Sequence, residues 1–399
     1  MTLATGAVIA NNYYAQPLEG TLANAFHAST ASVGLVITAI QIGYAIGLAT
    51  LVPLGDLLER RRLLVTMLSL TVAGLVAMAF APSLGALASA AALVGMTTVA
   101  AQVMVPFAAH LAADGEQGKV ISTVMSGLLI GILLSRTFAG LVAQLAGWRA
   151  VFVLGAALTA VVAALLWRQL PVLAPATRMR YPALLGSVLR LVREEPLLRK
   201  RMLYGTLTFS SFGAFWTSCG FLLARPPYHF GDATIGAFAL FGAAGAIAAR
   251  FAGRLADRGL APVATGGFLL ATAGSYLLLA LGGHSLWALA FGVAIFDLGV
   301  QGTHISNQSL IYALRPDARS RLNTAYMTAY FIAGAVGSGL SASVYAAHGW
   351  VGVCWLGAAF PTVGCCVWIT EMARRWRHRP RSNDHRVPAV AVASGVQVR

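Results

Sequence analysis

Polar residues in this chain come in short clusters, and nearly everything between them is apolar. The apolar runs are long. An α-helix needs about 20 apolar residues to cross a bilayer core roughly 30 Å thick. That ruler places helices near 3–25, 33–54, 63–81, 85–109, 120–145 and 149–169, and again near 202–223, 233–252, 262–282, 285–313, 322–346 and 350–371. The expectation is an all-α membrane protein with twelve transmembrane helices in two pseudo-symmetric six-helix halves, 1–169 and 201–371. Segment 170–200 would be a cytoplasmic linker, and 372–399 a basic, disordered tail.

Short repeats support duplication. The polar turn Gly55-Asp56-Leu57-Leu58-Glu59-Arg60-Arg61-Arg62-Leu63 is echoed about 200 residues later by Gly253-Arg254-Leu255-Ala256-Asp257-Arg258. Lys119-Val120-Ile121-Ser122-Thr123-Val124-Met125 opens the fifth run, and Arg321-Leu322-Asn323-Thr324-Ala325-Tyr326-Met327 the eleventh. Each of these runs ends in Gly-Trp, at Gly147-Trp148 and Gly349-Trp350. The two indoles are expected at the outer membrane interface, where an amphipathic ring is stable.

Composition agrees. The 399 residues are 58% hydrophobic and 10% charged, with a mean hydropathy of +0.74; soluble domains carry about 25% charged residues. The net charge of +15 does not point to nucleic acid, because the basic residues sit in alternate short loops rather than on one face. Arg60–Arg62, Lys119, Arg178–Arg201, Arg250–Arg258, Arg315–Arg321 and the tail lie at one end. His27, Arg149, Arg225, His284 and His348 lie at the other. The positive-inside rule makes the first end cytoplasmic, with both termini inside. Within 170–200, the stretch Tyr181 to Glu195 is read as solvated linker, with an amphipathic surface helix as the alternative. Cys219, Cys354, Cys365 and Cys366 have no metal-ligand spacing and read as small buried hydrophobes. No metal or cofactor is expected, and no basic leader precedes the first run.

These residues resemble the major facilitator superfamily over roughly 1–371. Gly55 to Leu63 is similar to its loop between helices 2 and 3, Gly253 to Arg258 to the counterpart between helices 8 and 9, and Gly147-Trp148-Arg149 to the end of helix 5. Asn12-Tyr13-Tyr14-Ala15-Gln16-Pro17-Leu18 resembles a stretch of a bacterial branch grouped with drug/proton antiporters. The resemblance implies a proton-coupled exporter of a small organic solute, working as a monomer in the bacterial inner membrane by alternating access. There are departures. Glu59-Arg60 replace the usual Asp-Arg of the loop, the Ala90–Pro106 stretch lacks an Arg, and the fifth helix carries Arg136 and no Pro. The resemblance also sets the polar loop near Arg319 and Arg321. The hypothesis that follows is an inner latch between halves in the outward-open state, made by Glu59 or Asp56 with Arg60, around Gly55, and its counterpart Asp257-Arg258, with a topology signal alone as the alternative.

Few ionisable residues fall inside the spans, and three stand out in the middle or outer half: Glu19, Arg136 and Asp297. A charge at mid-bilayer costs at least about 2.5–3.5 kcal/mol, so such residues are functional candidates. Asp297, Gln301, His304 and Gln308 fall on one helix face. Asp297, His304 and Glu19 are candidates for proton coupling, with packing between helices as the alternative for the stripe. Arg136 cannot release a proton; it is expected to pair with Glu19 or to bind an anionic substrate. Asn12, Tyr13, Gln16, Gln41, Tyr44, Gln102, Trp216, Gln301, Tyr326 and Tyr330 supply amides, phenols and an indole for a cavity suited to an amphipathic molecule.

Two rival classes stand beside a transporter. A membrane enzyme would need a cluster of acids and histidines; His110, Asp114 and Glu116 share one loop without metal-ligand spacing. A transporter-like sensor would bind without translocating. A nucleotide-binding Gly-x-x-x-x-Gly-Lys-Ser/Thr motif does not occur.

Overall fold

The computed structural model describes residues 1–111, 117–172, 180–243, 255, 258, 260–315 and 318–377. All regular structure among them is helical. The first half comprises α1 (Thr2–Ala10), a 3-10 turn (Gln16–Leu18), α2 (Glu19–Ala25), α3 (Thr30–Leu57), α4 (Arg60–Ala79), α5 (Leu84–Thr98), α6 (Ala100–His110), α7 (Gln117–Ala146) and α8 (Trp148–Gln169). Then come α9 (Tyr181–Glu194), α10 (Pro196–Ala224), α11 (Asp232–Phe238) with a 3-10 continuation (Ala239–Ala243), α12 (Ala261–Leu281), α13 (Leu286–Leu314) and α14 (Arg319–Arg377). Nine of the described helices are long and apolar enough to cross a membrane.

Helix α14 is two spans turned at Gly349, which has φ 64°. Gly147, between α7 and α8, has φ 84°. An L-side chain rarely adopts that backbone, so both Gly-Trp repeats exist because each corner needs a glycine. The tryptophans are packed against protein. Trp148 and Trp350 are both buried. Trp148 packs on Phe26 and Phe152, and Trp350 donates its Nε1–H to the Leu279 carbonyl at 2.7 Å. They fasten the corners to the protein.

The first span is not one continuous helix. The backbone N–H groups of Asn11, Asn12, Tyr13, Gln16 and Leu18 each donate to the carbonyl three residues back, and Pro17 has no N–H to donate. The middle of the span is therefore wound tighter than an α-helix. Irregular backbone is tolerated at membrane depth only where protein or a cavity surrounds it. The fourth span is likewise interrupted at Val99, between α5 and α6.

In the first half α1 packs on α7, α3 on α5 and α4 on α8; in the second α10 packs on α14 and α12 on α13. The halves meet along α3 with α14 and along α7 with α11. By the duplication, span 2 corresponds to span 8 and span 11 to span 5, so these are one seam used twice. Its described hydrogen bonds lie toward the end away from the arginine loops. Thr38 Oγ1 donates to Ser338 Oγ at 3.1 Å, Thr137 Oγ1 to the Gly236 carbonyl at 3.0 Å and Thr21 Oγ1 to Asp232 Oδ2 at 2.6 Å. Glycine sets the spacing: a Cβ on Gly140 would collide with the Asp232 carbonyl, and one on Gly236 with the Arg136 carbonyl.

Three expectations change. Tyr181–Glu194 is a helix that buries Leu184, Val188 and Leu191, and Tyr181 Oη donates to the Thr50 carbonyl at 2.9 Å. The apolar stripe at helical spacing, not the charge, decides this segment. The last helix runs to Arg377, beyond the expected end at 371. Cys366 is exposed while Cys219, Cys354 and Cys365 are buried, since adjacent helical residues point about 100° apart.

Candidate functional site

At mid-depth the two halves offer opposite charges to one pocket. Arg136 lies ten residues from the end of α7 and Asp297 eleven from the start of α13, each about 15 Å from the same end of the bundle. Both line a pocket of about 100 Å³ with Leu129, Ile130, Ile132, Leu133, Phe212, Ala239, Gly242 and Gln301. Both side chains are buried, Arg136 at 5% and Asp297 at 7% exposure.

Arg136 is held from three directions. Its Nε–H donates to Gln16 Oε1 at 2.7 Å. Its guanidinium carbon lies 4.9 Å from the ring centroid of Tyr13 and 4.3 Å from that of Trp216. The buried Nη2 finds no hydrogen-bond partner among the described residues. Trp216 also donates Nε1–H to Asp297 Oδ1 at 3.4 Å, a long bond. The backbone of the 3-10 continuation after α11 comes so close at Gly242 that a Cβ there would meet Asp297 Oδ2.

The expected Glu19–Arg136 ion pair is not formed. Glu19 is fully buried with neither carboxyl oxygen partnered among the described residues. It abuts Gly220 of α10. The 3-10 winding of residues 11–18 sets this: it aims Gln16 at Arg136 and leaves Glu19, at the start of α2, against the other half.

A second pocket of about 140 Å³ shares Leu129, Ile132, Phe212 and Gln301 with the first and extends toward the basic end. Tyr13, Tyr44, Gln102, Gln301, His304, Gln308 and Tyr330 line it, with Phe209, Met327 and Phe331. The polar stripe of α13 thus faces the space between the halves. Gln102 Nε2 donates to Tyr44 Oη at 3.2 Å. His304 Nδ1 lies 3.2 Å from Tyr326 Oη, and Gln308 Nε2 donates to Asn323 Oδ1 at 3.4 Å. Phe209 and Tyr330 stack with centroids 3.9 Å apart. A narrow cleft holds Gln16, Arg136, Trp216 and Cys219 together. Three candidates stand behind the walls. Asn12 Oδ1 accepts from Thr98 Oγ1 at 3.1 Å, Tyr326 is almost wholly buried, and Gln41 presses on Gly334.

The polar loop does something local. Glu59 accepts from the backbone N–H of Arg61 at 3.0 Å and of Arg62 at 3.3 Å, capping α4, and pairs with Arg62 at 3.4 Å. Arg60 Nε donates to the Gly55 carbonyl at 3.0 Å. Glu59 therefore does not bridge the halves here, because its own helix N-terminus supplies the nearest donors. The side chain of Asp56 and the whole of Asp257 lie outside the described residues, as do Asp114 and Glu116; Arg258 is exposed.

One polar cluster escaped the sequence reading. Arg201 is buried at 1% exposure and donates through Nη1 to Thr265 Oγ1 at 3.0 Å. Glu371 accepts from Tyr204 Oη at 2.9 Å and pairs with Lys200 at 3.1 Å. These residues sit at the mouths of apolar runs, where their charge read as loop. Among the described residues no group of His, Cys, Asp and Glu could hold a metal ion.

Relatives agree with this architecture. A profile of the Major Facilitator Superfamily matches residues 1–258 and 206–394. The uncharacterized transporter YgaY of Escherichia coli O157:H7 is 50% identical over 368 residues, 92% of this chain and 93% of that one. Among solved structures, a point mutant of the nucleoside transporter NupG superposes with a TM-score of 0.74 at 14% identity, covering 92% of this chain and 98% of that one. A bacterial homolog of the human lysosomal transporter Spinster, in an inward-facing and occupied conformation, gives 0.74 at 13% identity over 94% and 95%. At those identities the likeness is one of fold. With two matching profile segments, a half-identical transporter and a central site shared between two helical halves, the chain belongs to the major facilitator superfamily and is a membrane transporter rather than an enzyme.

Proposed function

We propose that this transporter exports a small organic solute in exchange for protons, by rocking its halves about the Arg136–Asp297 centre. One observation carries the reading: a cation from α7 and a carboxylate from α13 are buried on one mid-depth pocket. Two such charges are costly to insert unless they are used. Arg136 holds its proton at any working pH, so it serves as the fixed charge and Asp297 as the exchanging one. Glu19, buried against the opposite half without a cation beside it, is the second proton carrier, and His304 connects Asp297 toward the basic end.

The arginine-rich end is cytoplasmic by the positive-inside rule, which puts both termini inside a bacterial plasma membrane. The seam is then packed on the outer side, and the void lies on the inner side. In this inward-facing state solute enters from the cytoplasm and displaces protons, and rocking carries it outward. The chain acts as a monomer, since each half finds its partner within the same polypeptide. The partnerless Arg136 Nη2 supports a second reading, in which an organic anion binds Arg136 and moves without protons.

Proteoliposomes with an internal pH-sensitive dye test this. Solute-driven proton movement is expected in the wild-type protein and lost in Asp297→Asn, with solute counterflow retained. Solute flux with no proton movement in the wild type would replace exchange by facilitated transport.

A further inference from the structure

We infer that the Arg136–Asp297 pocket takes a small zwitterion of the α-amino-acid type, its carboxylate on Arg136 and its ammonium on Asp297. This rests on the transporter reading above and names the substrate class of the same site.

The argument begins with what the two charges lack. Among the described residues, neither Arg136 nor Asp297 has an ion-pair partner within 4.0 Å. Both nevertheless line one pocket of about 100 Å³. They make no direct ion pair, and their shared pocket lets one molecule reach both. A solute carrying only a cation would face Arg136, and one carrying only an anion would face Asp297. Once Asp297 has given up its proton, a neutral solute would leave both buried charges without a hydrogen-bonded counter-charge, the costliest outcome. A molecule with both charges on neighbouring atoms satisfies each.

The orientation of Arg136 narrows the choice. Tyr13 and Trp216 occupy its faces and Gln16 takes its Nε–H. What remains is the in-plane Nη edge, where buried Nη2 has no partner. A carboxylate fits such an edge with two parallel hydrogen bonds. Asp297 spends one oxygen on a long bond from Trp216, and its other oxygen occupies room that only a glycine at 242 leaves open.

Size sets the rest of the molecule. The charged pocket and its neighbour of about 140 Å³ are each well below the roughly 300 Å³ at which drug-sized sites begin. They share Leu129, Ile132 and Phe212 as walls, so an apolar side chain extends from the charged end toward Phe209 and Tyr330. Because the ammonium and a proton compete for Asp297, arrival of the zwitterion releases the proton.

The test is binding to the purified full-length protein, by isothermal titration and thermal shift. The probes are L-alanine, L-leucine and L-phenylalanine, each with its amide (cation), N-acetyl (anion) and N-acetyl-amide (neutral) derivatives. At least one parent amino acid is expected to bind about 30-fold or more tightly than all three of its derivatives, as expected when one partner of a buried charge pair is deleted. The preference over the amide should vanish in Arg136→Gln, and that over the N-acetyl form in Asp297→Asn. Because the wild-type series is sufficient, an unstable variant does not obscure the result. An amide or N-acetyl derivative binding as tightly as its parent overturns the inference, as does absence of binding by all three parents. If those parents fail while a lipophilic cation drives proton flux, the zwitterion site falls and the exporter stands. If an amino acid binds selectively but moves no protons, the site stands and proton exchange falls.

Discussion

The guanidinium of Arg136 lies 4.3 Å over the ring of Trp216, and that contact joins the first half of the molecule to the second. The same indole donates to Asp297. Cation–π contacts contribute about 0.5–2 kcal/mol. Trp216→Phe keeps a ring under the cation and loses only the long hydrogen bond, so apparent solute affinity should fall a few-fold. Trp216→Leu loses both and should fall by at least about tenfold. The concentration dependence of transport checks the order.

The seam away from the arginine loops should respond to bulk. Gly140→Val cannot close against the Asp232 carbonyl and should leave that side open. Thr21→Val removes a hydrogen bond to a carboxylate, about 1.5–3 kcal/mol, and should shift the open-to-closed ratio roughly tenfold or more. Cys219 is buried in this structure. With the other three cysteines replaced, faster labelling of Cys219 by a membrane-impermeant maleimide reads the shift. Unchanged labelling in both variants would mean that this seam does not control access.

Glu59 offers a way to separate a cap from a latch. Glu59→Ala loses the cap on α4 and should cost about 0.5–2 kcal/mol of stability. Glu59→Asn keeps a good capping group and should melt close to the wild type. If the charge also latches the halves when the basic end closes, Glu59→Asn will still change the conformational populations reported by Cys219. Equal populations would confine Glu59 to its helix.

Glu371 joins α10 to the last helix through Tyr204 and Lys200. Glu371→Gln weakens hydrogen bonds to a charged acceptor and should remove about 1–3 kcal/mol, lowering the thermal midpoint in detergent without altering the charge preference of the solute site. A changed charge preference would tie this cluster to the substrate.

The helices were legible because hydrocarbon thickness acts on every residue of a span, and the twin Gly-Trp corners were legible as a repeat. The α13 stripe could be read because a regular helix converts spacing into direction. Residues 11–18 could not be read that way. A 3-10 winding advances about 120° per residue rather than 100°, so Asn12, Gln16 and Glu19 meet α5, α7 and α10 rather than one common neighbour. The choice of Gln16 over Glu19 as partner of Arg136 is tertiary information. So is the linker helix, where three apolar residues outweigh a run of arginines whose charge remains in solvent.

The overwound stretch of the first span also has a length. A 3-10 helix rises about 2.0 Å per residue and an α-helix about 1.5 Å. Rewinding the turns and the 3-10 segment between Asn11 and Leu18 would shorten the span by at most about 4 Å. The stroke would draw Glu19 and Thr21 along the membrane normal while Gln16 swivels under Arg136. Such a span is a telescoping strut, able to turn a change at the charged pocket into a displacement at the far seam. A pair of spin labels on Ala4 and Asn24 would record that stroke on solute addition, and a constant distance would make the strut rigid.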